Sequence, residues 1–313
     1  MCIFGTKKEE KMDFYEALSF IRRRLNISQG DMLENTTHST YSRIESGKRQ
    51  IKIDTLGLIA KKFGMNFKEL LEFSNFDSDY EQFIEIFRDC AQDPDDENNK
   101  KKLLEKFFPT KKIDQMNNDE LTCYLAIKGH MGTKWLDIGP PTPNDLKFAV
   151  KYLTQKSFFT QKDYQIAMNV INHLTLKDRI RIVEKMYPVI LPEKRTASLK
   201  RYANHMITNL ITSCIYELEY ETALKYITIA ENTMDFSVDY YLRLNILYHK
   251  NVVLRYLKQD TIYITRAREI IQIMYAISDP STAAQFEKEL NELTDNPKHY
   301  LENKDYPRTI VKE

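Results

Sequence analysis

Residues 28–47, SQGDMLENTTHSTYSRIESG, have the cap and turn residues of two short helices that are joined by a tight turn. Ser28 and Asp31 have the three-residue spacing of a capping box, in which side chains bond free backbone N–H groups at the helix start. Ile27 and Met32 flank this cap as a hydrophobic staple. The stretch therefore predicts a helix that begins at Ser28.

The second half of the stretch predicts a second helix that ends at Gly47. Asn35 tolerates the positive φ that the turn between the helices needs, and Thr37 can cap the helix that follows. Tyr41 and Ile44 stand one turn apart and should point inward. Small polar and basic side chains remain on the outer face or its margin, namely His38, Ser39, Ser42 and Arg43. This layout is typical of a helix that reads base edges in DNA.

Apolar residues recur at helical spacing on both sides of these two helices. They are Phe14, Ala17, Leu18, Ile21 and Leu25 before the motif, and Leu56, Ile59, Ala60 and Phe63 after it. Gly64 can end the later helix because glycine adopts a left-handed backbone without strain. Asn66 and Glu69 then form a second capping box. We therefore predict a bundle of five helices between residues 13 and 73.

Residues 42–71, SRIESGKRQIKIDTLGLIAKKFGMNFKELL, with ISQ at 27–29, resemble the five-helix repressor-type domain of the Xre family. The resemblance implies DNA contacts at Ser28, Gln29, Thr37, His38, Ser39, Ser42, Arg43, Lys48 and Arg49. In that family, the glutamine at position 29 bonds a phosphate or a base, the second helix faces the major groove, and the basic pair at 48–49 lies near the DNA backbone. Arg43 could instead pair with Glu45 or another carboxylate as a structural contact, and His38 could be simply solvated.

Charge alone supports DNA binding only weakly. Residues 13–73 contain ten Lys and Arg residues against eight Asp and Glu residues. Phosphate contacts must therefore come from local clusters, at residues 22–24 and 48–49, and useful affinity should need a second copy of the chain.

Composition fits a globular protein of two domains. The chain has 313 residues, a formal net charge of +1, 42% hydrophobic and 29% charged residues. Its four cysteines are scattered, so neither a metal site nor a disulfide framework is predicted, and no cofactor is expected. About 18 uninterrupted apolar residues would be needed to span a membrane, and no such run occurs. We expect a cytoplasmic protein with no membrane partner.

The remaining sequence predicts a second, wholly helical domain. We expect an N-terminal tail at 1–12, the DNA-binding domain at 13–73, a linker helix and charged loop at 74–100, a helical-repeat domain at 101–296 and a C-terminal tail at 297–313. The clearest repeat is NLITSCIYELEYETALKYITIA, residues 209–230, with small Ala223 and Ala230 where two helices approach closely. Weaker pairs are predicted at 241–271 and 163–187. The predicted fold is all-α, with a helix-turn-helix domain followed by a tetratricopeptide-like superhelix.

The whole chain resembles the Rgg and PrgX-type regulators. Residues 158–191, FFTQKDYQIAMNVINHLTLKDRIRIVEKMYPVIL, and YELEYETALKYI at 216–227 carry this resemblance beyond the first domain. It implies a transcriptional regulator that forms a homodimer, with a tetramer as the alternative, and binds a short hydrophobic signalling peptide.

Asn and Thr side chains on inner helices of such a superhelix can bond the backbone of an extended peptide. The candidate peptide-binding residues are His205, Asn209, Thr212, Asn245 and Asn251. For each of them, an exposed or capping role is the alternative.

An enzyme is the main rival from another class. The sequence lacks the G-x-G-x-x-G, G-x-x-x-x-G-K, H-E-x-x-H and G-x-S-x-G motifs, so no catalytic residue is predicted. GHMG at 129–132 is too short for a phosphate-binding loop and is interpreted as a bend between helices. A second rival is a constitutive dimeric repressor whose large helical domain only oligomerises.

Overall fold

The computed structural model describes residues 12–33, 37–74, 78–234 and 239–295, and within these ranges the regular secondary structure is helical. The chain divides into two compact units, Met1–Glu85 and Ile86–Glu313. Two predicted features, the turn at Asn35 and the tail at 297–313, lie outside the described residues, as do residues 1–11.

The first unit is a small helical bundle. Its helices are α1 (Phe14–Arg24), α2 (His38–Glu45), α3 (Ile53–Phe63), α4 (Phe67–Glu72) and the first part of α5 (Ser78–Gln92). A short 3₁₀ turn, Gln29–Asp31, precedes α2. The predicted core is largely confirmed, because Leu18, Tyr41 and Ile59 are fully buried within it, whereas Leu25 is exposed.

Local caps set the helix boundaries of this unit. The Thr37 side chain accepts a hydrogen bond from the Thr40 backbone N–H at 3.3 Å, and the Asn66 side chain accepts one from Glu69 at 3.0 Å. Gly64 ends α3 with a φ of 71°. These three predicted caps are confirmed, because a cap depends on residues that are neighbours in sequence. Of the capping box predicted at Asn66 and Glu69, only the bond from the Glu69 N–H to Asn66 occurs among the described residues.

The predicted capping box at Ser28 is wrong. The Ser28 hydroxyl donates to the Asp31 carboxylate at 2.5 Å and does not accept a backbone N–H. The first helix of the motif is therefore a 3₁₀ turn in the described residues, and the bundle holds four α-helices and this turn between residues 13 and 73.

The second unit is built from the rest of α5 and ten further helices in the described ranges. These are α6 (Glu97–Phe107), α7 (Asn118–Met131), α8 (Pro143–Thr154), α9 (Gln161–Ile171), α10 (Leu176–Met186), α11 (Ala197–Tyr216), α12 (Tyr220–Thr233), α13 (Tyr240–Lys258), α14 (Ile262–Ala276) and α15 (Pro280–Asp295). The charged loop predicted before residue 101 is shorter than expected. Asp96 caps α6 by accepting from the backbone N–H groups of Asn98 and Asn99, so part of the charge run is helical.

Stacked helix pairs form the core of the second unit. Helices α11 and α12 pack together, as do α13 and α14, and the small residues Ala223, Ala230 and Ala267 are fully buried at these contacts. The earlier pair differs from its prediction, because α9 packs mainly on α7 and α11 and little on α10. Among the described residues, no helix combines the length and apolar character that crossing a bilayer requires.

Glycines in the GHMG sequence mark a close helix contact. Gly129 lies inside α7, and a Cβ on it would collide with the carbonyl oxygen of Asn169 in α9. The expected bend is therefore wrong at Gly129, because the missing side chain serves the α7–α9 approach. Gly132 ends α7, as expected for a glycine between helices.

Candidate functional site

Helix α2 presents the side chains that the sequence predicted for DNA contact. Thr37, His38, Ser39 and Arg43 are exposed, and Ser42 is half-buried. Lys48 and Arg49 are exposed just beyond the end of the helix. Tyr41 and Ile44 hold the opposite side of α2 in the core, with 0% and 4% of their surface exposed. The polar and basic face is therefore free to meet a partner.

A partly buried ion pair fixes α2 against α1. Arg22 Nε and Nη2 donate to the two carboxylate oxygens of Glu45 at 2.7 and 3.1 Å, and Arg22 Nη1 donates to the Ile27 carbonyl at 2.8 Å. The Gln29 side-chain amide also donates to Glu45. Bidentate charge-assisted contacts of this kind fix orientation as well as distance. The hydrogen bond with Glu45 raises the pKa of Arg22 above its usual value.

This arrangement changes what two predicted contacts can do. Arg22 was expected among the phosphate-binding arginines, but its guanidinium is committed to Glu45, and only Arg23 and Arg24 remain exposed. Gln29 is half-buried, and its amide nitrogen is committed to the same carboxylate. Arg43 does not form the alternative pair with Glu45, because that carboxylate is already bound from the other side by Arg22.

A second polar cluster lies inside the helical-repeat unit. His249 of α13 shares a hydrogen bond of 3.2 Å between its Nε2 and the Thr212 hydroxyl of α11. Its Nδ1 is 3.0 Å from the Asn245 side-chain oxygen. Nε2 also lies 3.8 Å from an Oε1 atom of Glu289 on α15. We call Thr212, Asn245, His249 and Glu289 the buried polar cluster.

Burial sets the charge state of this cluster. Desolvation raises the pKa of Glu289 to about 8 and lowers the pKa of His249 to about 4. At neutral pH both groups are therefore uncharged, and the contact between them is not an ion pair. Glu289 Oε1 has no hydrogen-bond partner among the described residues.

The structure brings together only some of the predicted peptide-binding residues. Thr212 and Asn245 both contact His249, a residue that the sequence analysis missed. His205 and Asn209 lie one turn apart on α11 and are buried, with 8% and 7% of their surface exposed. The Asn251 amide donates to the Leu247 carbonyl of its own helix at 2.8 Å.

The fold and the exposed helix define the class of protein. A capped polar helix held on a small bundle, followed by stacked helix pairs, is the construction of a helix-turn-helix DNA-binding regulator with a helical-repeat domain. Residues 18–70 match the helix-turn-helix family, and residues 92–288 match the C-terminal domain of the HTH-type transcriptional regulator Rgg. The chain belongs to the Rgg family of transcriptional regulators.

Solved structures of other proteins share this fold over most of its length. A PrgX/cCF10 complex is 21% identical with a TM-score of 0.73, covering 90% of this chain and 92% of that chain. The SHP pheromone receptor Rgg2 of Streptococcus dysgalactiae is 14% identical with a TM-score of 0.73, covering 90% and 99%. A bacterial peptide pheromone and receptor complex is 21% identical with a TM-score of 0.74, also covering 90% and 99%. No curated protein matched this chain in sequence.

Proposed function

We propose that this protein is a homodimeric, sequence-specific transcriptional regulator whose DNA binding is controlled by a short hydrophobic signalling peptide. The observation that carries the proposal is the exposed polar face of α2 in a chain whose second unit matches the Rgg C-terminal domain. The pheromone complexes of similarly folded proteins support the peptide as ligand. Because its target is genomic or plasmid DNA, we place the protein in the cytoplasm.

We assign the contacts with DNA base edges to helix α2. Ser39 and Arg43 lie one turn apart and are both exposed, so an arginine with its fork of donors can reach a guanine edge beside a smaller hydroxyl contact. Thr37 and His38 stand at the start of the helix, and Ser42 lies at its margin. We assign phosphate contacts to Lys48 and Arg49, with half-sites about one helical turn or a multiple apart.

Gln29 and Ser28 are retained as weaker DNA-contact proposals. Gln29 still has a side-chain oxygen and Ser28 is exposed, but the Ser28 hydroxyl already donates to Asp31 and the Gln29 amide already donates to Glu45. Their main contribution is to position the start of the motif.

Peptide recognition is assigned to the inner helices α11 and α13. Thr212 and Asn245 meet at His249, and side chains of this type can bond both the C=O and the N–H groups of an extended peptide. His205 and Asn209 would extend the same site along α11, and Asn251 along α13. Since His205, Asn209 and Asn245 are buried, we expect peptide binding to require a change in the packing of these helices.

The test combines DNA and peptide in one titration. Operator binding of the full chain is measured by electrophoretic mobility shift with and without a panel of short synthetic hydrophobic peptides. Native mass spectrometry of the same samples reports oligomer mass. The wild type should select its operator from random DNA, and one peptide should change operator affinity or oligomer mass, since a ligand acts only through its differential affinity for two states.

Two variants complete the experiment, one at the proposed DNA contacts and one as a control. The combined S39A and R43A variant should lose operator selectivity while keeping its helicity. Lys68→Ala, an exposed change on α4, should behave like the wild type. Undiminished selectivity in the double variant would refute the role of α2. A wild type that binds its operator but ignores every peptide from the native host would favour the constitutive repressor.

A further inference from the structure

One face of α14 carries an arginine and a glutamate between two isoleucines, at spacings that are symmetric about the midpoint of the set. Ile262, Arg266, Glu269 and Ile273 are separated by four, three and four residues. At about 100° per residue, these four positions fall within an arc of about 60° on the helix. We call them the α14 face. A two-fold rotation places each isoleucine opposite an isoleucine and each arginine opposite a glutamate.

The α14 face is exposed. Ile262 and Ile273 keep 44% and 47% of their surface accessible, and Arg266 and Glu269 are also exposed. The core contacts of the helix come from another side, where Ala267, Ile270, Ile271 and Met274 are buried. Packing against the neighbouring helices therefore leaves this face open.

The charges of the face are those of Arg266 and Glu269. Neither Arg266 nor Glu269 forms an ion pair with another residue in the part of the chain that the structure describes. Arg266 instead places its guanidinium 5.5 Å from the ring centroid of Tyr263. The neighbouring exposed Ile277, with 58% of its surface accessible, extends the apolar edge beyond Ile273. Single exposed isoleucines are ordinary, so it is the symmetric placement of charges and isoleucines together that distinguishes this face.

We propose that the α14 face docks against the α14 face of a second copy of this chain, antiparallel and about a two-fold axis. A two-fold contact uses the same patch on both copies and must be self-complementary. The face meets that requirement, because Arg266 of each copy lies opposite Glu269 of the other and the isoleucines close both ends. The proposal names an interface for the homodimer in the proposed function and rests on it in that respect.

The size of the α14 face sets the expected affinity between two copies of the chain. With 15 residues, α14 is about 22 Å long, and one pair of such helices buries less than the ~800 Å² per partner of a standard interface. Association through α14 is therefore weak and depends on concentration, or it joins dimers that form through another surface. In either case it adds one association step.

Charge reversal tests this pairing. Sedimentation velocity of the full chain over a range of concentrations should show that R266E and E269R each lose this step, with a dissociation constant raised by more than about tenfold. An equimolar mixture of the two variants should restore it, because an acidic face then meets a basic one. The combined R266E and E269R variant should also associate. Arg268→Glu, on a neighbouring exposed position of the same helix, should leave association unchanged.

Two outcomes would overturn the pairing. Association of both single variants at the wild-type level excludes the face as an interface. A mixture that stays dissociated while both variants keep wild-type helicity does the same. Wild-type operator binding is measured in parallel, so a failed α14 contact is distinguished from a failure of the proposed DNA-binding function.

Discussion

At the scale of single residues, Glu289 shows how burial makes stability depend on pH. Its pKa of about 8 lies above its ordinary value of 4.5, so the folded protein holds this proton more tightly than the unfolded chain. The groups that face it are His249, Tyr248 and Tyr241 of α13, Tyr216 of α11 and Glu292 of α15. Stability from Glu289 is therefore full below about pH 4.5 and is lost as the pH rises towards 8.

His249 acts in the opposite direction over a lower range. Its pKa is lowered from 6.5 to about 4, so protonation disfavours the folded state as the pH falls through that interval. Between pH 6.5 and 8 only the Glu289 effect remains of the two. Between these pH values, the Glu289 effect on stability can therefore be measured without that of His249.

We predict that Glu289→Gln removes a fall in stability between pH 6.5 and 8. The wild type should lose up to about 1.4 kcal/mol of unfolding free energy per pH unit from this group, and the amide should lose none. Urea denaturation followed by circular dichroism at several pH values measures both slopes. Glu287→Gln, an exposed change on the same helix, is the control and should keep the wild-type slope. Equal slopes in wild type and Glu289→Gln would show that the carboxyl is not enclosed as described.

At the scale of helices, the contact between α7 and α9 depends on an absent side chain. Gly129 and Gly57 both lie inside helices, where alanine is ordinarily better by about 1 kcal/mol. A Cβ on Gly57 would meet only the Phe67 ring at 4.0 Å, which is ordinary contact. A Cβ on Gly129 would collide with backbone. Replacement by alanine should therefore raise the free energy of unfolding at Gly57 and lower it at Gly129.

We predict that Gly129→Ala destabilises the second unit by about 1–3 kcal/mol, because overpacking forces the helices apart. Gly57→Ala should stabilise the first unit by up to about 1 kcal/mol. Trp135 is the only tryptophan in the chain and is buried in the second unit, so its fluorescence reports unfolding there. Far-UV circular dichroism reports the helices of both units, so a transition that appears in dichroism but not in Trp135 fluorescence belongs to the first unit. A Gly129→Ala protein as stable as the wild type would mean that α7 and α9 approach less closely than the structure shows.

At the scale of the whole molecule, a net charge of only +1 leaves little long-range attraction to DNA. Affinity must therefore come from a few phosphate contacts on each protomer, which the proposed homodimer would double. Each neutralised phosphate releases condensed counterions and contributes about −0.9 to the slope of log affinity against log salt.

We predict that Arg49→Ala makes this slope less steep by about 1.8, because a two-fold dimer loses two phosphate contacts for one substitution. Operator affinity measured by fluorescence anisotropy at several salt concentrations gives the slope. Lys68→Ala on α4 serves as the control with an unchanged slope. A change of about 0.9 would indicate that one protomer engages the DNA, and an unchanged slope would remove Arg49 from the phosphate contacts.

Sequence by itself determined the features that depend on near neighbours. The caps at Thr37 and Asn66, the helix end at Gly64 and the buried pair Tyr41 and Ile44 follow from spacing within one or two turns, where geometry is local. The small alanines of the repeat were predictable for the same reason.

Tertiary structure alone decided which polar groups meet. Arg22 bonds Glu45, which is 23 residues away in the sequence, and Thr212 bonds His249, which is 37 residues away. Many partners of suitable chemistry exist for each, and only the packing of helices from distant parts of the chain selects one. Packing also decides pKa values, because the desolvation that raises the pKa of Glu289 depends on the surrounding helices and not on its neighbours in sequence.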